Sequence, residues 1–113
     1  MDIKIKNVKT VTVAELAGDL DANTASEVQQ KVIALATQSS KILLDMHGVE
    51  YMSSAGLRML LSLYRRVAAS KGQVVLVGLA PEIHKTMSIT GFLDFFATYE
   101  TLESGLAALQ RKS

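Results

Sequence analysis

Two adjacent hydroxyls, Ser53 and Ser54, stand in the stretch VEYMSSAGLRMLL, between a short apolar run and an amphipathic one. Hydroxyls at such a junction can cap a helix, act as nucleophiles or accept a covalent modification. A nucleophilic serine needs a base. The chain offers His47, on the loop before the serines, and His84, expected on the exposed part of a later helix. The context Met-Ser-Ser-Ala-Gly is not the Gly-x-Ser-x-Gly elbow of α/β-hydrolases. A chain of 113 residues also leaves little material for a substrate pocket and an oxyanion hole. Hydrolysis is therefore not expected, and neither is any other catalysis. Asp19, Asp21 and Asp45 could approach one sheet edge as a metal cluster. Aspartate is also a common turn residue, because its carboxylate accepts local backbone N–H groups, and loop chemistry is the better account of Asp19. No Gly-x-x-x-x-Gly-Lys-Ser/Thr and no Gly-x-Gly-x-x-Gly occurs, so no phosphate loop and no cofactor is expected. Met46, Met52 and Met59 flank the serines, either as core filler or as adaptable side chains of a binding surface.

The elements that must hold these residues follow from hydrophobic periodicity. Ile3 and Ile5, then Val11 and Val13, alternate with polar residues and predict two strands with a polar face, at the edge of a sheet. The segment LAGDLDANTASE reads as a loop ending in a capping box, Thr24 with Glu27, before a helix that buries Ala25, Val28, Val32 and Leu35. The continuous apolar runs from Lys41 to Asp45 and from Gln73 to Val77 suit strands covered on both faces, with parallel neighbours. Between them a second helix runs from about Ala55 to Ser70, with Leu57, Leu60, Leu61, Tyr64, Val67 and Ala68 on one stripe and Lys71-Gly72 at its end. Pro81 suits the first turn of a third helix closed by Gly91. Ala97 to Tyr99 read as a short strand, and Thr101 with Ser104 starts a last helix. The order β-β-α-β-α-β-α-β-α implies one α/β domain, a mixed sheet with helices packed on it. Ser53 and Ser54 then lie where a chain leaves the C-terminal end of a strand and enters a helix, the usual functional edge of such folds. Unpaired N–H groups and the helix dipole there favour an anion. The plainer alternative is that Ser54 only caps the helix.

Composition narrows the classes. Twelve Lys and Arg against eleven Asp and Glu give a net charge of +1, which offers no electrostatic footprint for nucleic acid. There is no cysteine, so disulfides, thiolate chemistry and Cys-ligated zinc are excluded. MDIKIKNVKT lacks the apolar block of a signal peptide, and no apolar run approaches the ~20 residues that span a bilayer. A soluble cytoplasmic protein, with neither nucleic acid nor membrane as partner, is expected.

GDLDANTASE, KILLDMHGVEYMSSAGLRMLL and GQVVLVGLAPEIHKTMSITGF together resemble the STAS family, in particular its stand-alone bacterial anti-sigma-factor antagonists. The likeness extends over nearly all of residues 1–113. Its most specific part is Asp45, Val49, Tyr51, Met52, Ser54, Gly56 and Leu57 in their spacing. The resemblance implies that Ser54 is phosphorylated by a GHKL-type serine kinase that doubles as the anti-sigma factor. It also implies that a PP2C-type phosphatase reverses the modification, and that the dephosphorylated protein binds the kinase and frees its client. It places Asp21 beside the phosphorylation site. Where the family commonly has Asp before the target serine, this chain has Ser53, a possible alternative acceptor; where Ser or Thr often follows, it has Ala55. Asp21, Met52, Ser53, Ser54, Arg58 and Met59 are the expected partner-binding residues, with Met52, Arg58 and Met59 exposed. A STAS regulator of a non-sigma signalling or metabolic pathway, and a nucleotide- or small-molecule-sensing STAS module, are the alternatives.

Overall fold

The computed structural model describes residues 1–36 and 40–111. The elements are β1 (Asp2–Val8), β2 (Val11–Ala17), α1 (Ala25–Ala36), β3 (Lys41–Gly48), α2 (Ser54–Ala69), β4 (Gln73–Val77), α3 (Pro81–Thr90), β5 (Ala97–Tyr99) and α4 (Leu102–Arg111), with a 3₁₀ turn at Phe92–Phe95. This is the α/β class and element order that the periodicity predicts.

The strands lie in sequence order, β1-β2-β3-β4-β5. β1 is antiparallel to β2, and β2 through β5 run parallel. Right-handed crossovers between parallel strands that always advance in one direction must put their helices on a single face. Accordingly α1, α2 and α3 share one core with Leu16, Ile42, Leu44, Met46 and Leu76. The opposite face carries Val11, Val13, Leu43, Val75 and Val77, and α4 covers it with Leu102, Leu106 and Leu109. Two covered faces explain why β3 and β4 read as unbroken apolar runs.

The expectation that both N-terminal strands lie at an edge holds for β1 alone. β2 is sandwiched between β1 and β3, and its Thr12, on the face expected to be polar, is 6% exposed. The hydroxyl is tolerated because it donates to Asn7 Oδ1 at 3.2 Å. The buried stripe of α2 is also rotated from the expected one. Gly56, Leu57, Met59, Leu60, Leu63 and Val67 are buried, whereas Ala68 is exposed. At its C-terminus Lys71, not Gly72, takes the left-handed conformation (φ 60°), and the Gly72 amide donates back to the Val67 carbonyl at 2.8 Å.

Candidate functional site

The serines are held by a junction of two loops. After β2 the chain turns at Leu20, whose amide donates to the Tyr51 carbonyl and whose carbonyl accepts the Ser53 amide, both at 2.9 Å. Leu20 and Met52 thus form a parallel bridge outside the main sheet. The Leu20 side chain is fully buried. Gly56, on the first turn of α2, lies so close that a Cβ there would meet the Leu20 carbonyl oxygen at 2.8 Å and Met52 Cγ at 2.7 Å. The close approach requires a glycine and seats the start of α2 directly on the β2–α1 loop.

On this support the two serines divide their roles. Ser53 is the N-cap residue of α2, with φ −84° and ψ 176°, and Ser54 is the first helical residue. The expectation that Ser54 caps the helix is therefore corrected by one position. Nor does Ser53 cap in the ordinary way, since its side chain makes no cap hydrogen bond. Its Oγ is sealed from solvent and has no hydrogen-bond partner. The Ser54 side chain is exposed. An orphaned buried hydroxyl costs about 1–3 kcal/mol of desolvation. Ser53→Ala is consequently expected to be neutral or stabilising by up to ~1 kcal/mol, against the usual loss of about 0.5–2 kcal/mol for an N-cap serine. Urea unfolding of the pair checks this, and a loss of ordinary N-cap size would show that the hydroxyl caps in solution.

Asp21 lies just beyond Leu20. Its Oδ1 accepts the Asn23 amide at 2.9 Å and the Thr24 amide at 3.2 Å, while Thr24 Oγ1 accepts the Asp21 amide at 3.0 Å. The reciprocal capping pair is thus Asp21 with Thr24, three residues earlier than the expected Thr24 with Glu27. Glu27 instead pairs with Lys31 at 3.6 Å. Asp21 stands in the loop against which Ser53 is bonded, and its carboxylate fixes that loop.

The remaining candidates sort by burial. Arg58 is exposed and Met52 half-buried. Met59, expected on the surface, is 3% exposed and belongs to the core under α2, so it offers nothing to a docked protein. Tyr51, which is not among the expected partner-binding residues, is 53% exposed beside Met52. Glu50, Tyr51, Met52, Leu57, Glu82 and Ile83 line a groove of about 220 Å³ between the serine loop and α3.

Among the described residues neither histidine is hydrogen-bonded to a serine of the pair. His47 Nδ1 contacts Asp45 Oδ1 at 2.6 Å and Nε2 contacts the Glu100 carbonyl at 3.1 Å, so both ring nitrogens are engaged toward β5. His84 lies on the exposed part of α3 and borders the same cleft as His47. With Asp45 on His47 and Asp21 in its cap, the three aspartates do not converge. Among the described residues no three His, Cys, Asp or Glu side chains are arranged to hold a metal. No described helix is long and apolar enough to cross a membrane.

The arrangement is one exposed hydroxyl at the start of a helix, on a hydrogen-bonded loop junction and beside a groove lined by Tyr51, Met52 and Leu57. The model of the STAS domain matches residues 2–105. The chain belongs to the STAS domain family. A relative in Bordetella bronchiseptica, BtrV, provisionally named an anti-sigma factor antagonist, is 26% identical over 97% of this chain and 96% of its own. The crystal structure of an anti-sigma factor antagonist from Mycobacterium paratuberculosis superposes with a TM-score of 0.87 at 24% identity, covering 96% of this chain and 93% of that one. The Bacillus cell fate determinant SpoIIAA in its phosphorylated form has a TM-score of 0.74 at 19% identity, covering 95% and 98%. These STAS structures share the fold described above.

Proposed function

We propose that this STAS protein is an anti-sigma-factor antagonist controlled by reversible phosphorylation of Ser54, a binding module with no catalysis of its own. The observation that carries the reading is the contrast between the serines: Ser54 is exposed at the first position of α2, whereas the Ser53 oxygen is sealed. It is supported by the antagonist names of the Bordetella and Mycobacterium proteins, and by a protein of this fold, SpoIIAA, having a phosphorylated form.

The partner is a GHKL-type serine kinase that is also the anti-sigma factor. In its active site Ser54 Oγ attacks the γ-phosphorus of ATP and the bond to the β,γ-bridging oxygen breaks. ADP leaves, and the hydroxyl proton passes to a base on the kinase. A PP2C-type phosphatase reverses this: water attacks phosphorus, the bond to Ser54 Oγ breaks and inorganic phosphate departs. Unmodified, the protein docks through Ser54, Met52, Arg58 and the exposed Tyr51, on the loop that Asp21 stiffens. The exchange takes place between cytoplasmic proteins and needs neither nucleic acid nor membrane.

Phosphosite mapping after incubation with a candidate kinase and ATP tests the assignment. Wild type and Ser53→Ala are expected to take one phosphate at Ser54, and Ser54→Ala none. Phosphate uptake by Ser54→Ala at an undiminished rate would overturn it.

A small-molecule sensor is the second reading. It is favoured by an open cleft of about 790 Å³ at the C-terminal ends of the central strands, bordered by His47, Gly78, Pro81, His84, Tyr99 and Glu100. A rise in Tm with nucleotide, lost on His84→Glu, would support it.

A further inference from the structure

Arg58 lies four residues after Ser54 on α2, so the two side chains share a face one turn apart. Arg58 is exposed, and its guanidinium makes no ion pair or hydrogen bond among the described residues. The 16 residues of α2 include no Asp or Glu to compete for the guanidinium. On the elements packed around this end of the helix, the Asp21 carboxylate is held by the Asn23 and Thr24 amides and Glu27 is paired with Lys31. Asp19, Glu50 and Glu82 are exposed to solvent. The unmodified protein therefore presents an uncommitted cation at the place from which a group on Ser54 Oγ would be reached.

We propose that Arg58 is the built-in counter-ion of phosphorylated Ser54. A guanidinium takes two phosphate oxygens in a bidentate contact that an ammonium cannot match. A third oxygen faces the first backbone N–H groups of α2, which the Ser53 hydroxyl leaves uncapped. The inference rests on Ser54 being the acceptor and adds what the fold does with the phosphate. Modification then has two local consequences. It installs about −1.5 to −2 charges and withdraws the Arg58 guanidinium from any docked protein. Arg58 is a positioning residue for the modified state and a surface residue in the unmodified one.

The test places phosphoserine at position 54 biosynthetically, without a kinase, in the wild-type chain, Arg58→Gln and Arg58→Lys. The second ionisation of the phosphate, ordinarily near pH 6, is followed by phosphorus NMR. Pairing favours the dianion, so the midpoint is expected about half a pH unit lower with Arg58 than with Arg58→Gln, and in between with Arg58→Lys. Phosphorylation is expected to raise the wild-type Tm, by an increment that shrinks below about pH 6 and is smaller in Arg58→Gln, where only the helix N-terminus favours the phosphate. The unmodified variants, melting together with wild type, control for folding. Equal midpoints and equal Tm increments in all three would overturn the pairing. A kinase that modifies another residue would sink the Ser54 assignment and leave this result standing, so the two failures are distinguishable.

Discussion

Phosphorylated at Ser54, the protein is expected to bind its kinase partner at least ~100-fold more weakly than the unmodified chain, with its fold intact. The exposed first position of α2 is where a helix tolerates negative charge best, worth about 0.3–1 kcal/mol in favour of the anion. Tm should therefore hold or rise. A surface fitted to a neutral hydroxyl must instead desolvate a dianion, and leaving such a charge incompletely paired costs several kcal/mol. A factor of 100 needs only about 2.7 kcal/mol. Pairing with Arg58 does not rescue docking, since it leaves net negative charge and takes away a cation the partner would meet. Ser54→Asp carries a single charge on a shorter arm and should lose about tenfold, while Ser54→Ala binds as wild type does. Titration calorimetry of the four forms decides the matter. Equal affinity of the phosphorylated and unmodified proteins would end the idea of a switch at this residue, and a large fall in Tm would replace a docking switch with an unfolding one.

Much of this site was legible in the residues themselves. Unbroken apolar runs marked β3 and β4 as covered on both faces, and the glycine and small residues after Met52 marked the entry to α2. Helical phase also held information that proximity obscured. At ~100° per residue, Arg58 is only about 40° around the helix from Ser54, whereas Met59 is about 140° away. Met59 is correspondingly in the core and Arg58 in solvent. Nearness in sequence to the serines was the wrong measure. Other features depend on tertiary packing. Asp21–Thr24 and Thr24–Glu27 both have capping spacing, and the former is used because the chain is already pinned at Leu20. That pin, the bridge to Met52, joins segments 32 positions apart that share no periodic signal. Thr12 is likewise an interior residue despite its strand's polar alternation, because β2 lies between β1 and β3 and Thr12 points to the same face as Ala14 and Leu16, the face on which α1, α2 and α3 pack. The single-position shift between Ser53 and Ser54 follows from the same pin, because the Ser53 amide is committed to the Leu20 carbonyl and only then does the helix begin.

Leu20→Ala is expected to show that this pin matters to the site beyond its share of stability. The fully buried side chain predicts a loss of about 2–5 kcal/mol on truncation, as does the equally buried Leu43 on the opposite face of the sheet. If stability were all that phosphorylation sensed, the two variants would behave alike. Leu20, however, is bonded on both sides to the serine loop and packs against Gly56, so its truncation loosens the frame that presents Ser54. Displacing a reacting group by ~1 Å can cost up to about 100-fold in rate. Under conditions where both variants remain folded, Leu20→Ala should take phosphate from the cognate kinase about 10- to 100-fold more slowly than wild type, by that reasoning. Leu43→Ala should stay close to the wild-type rate. The Ser53 amide, measured by hydrogen exchange, should lose protection in the first variant and keep it in the second. Matching rates and matching protection in the two would reduce Leu20 to core filler and leave the presentation of Ser54 to α2 alone.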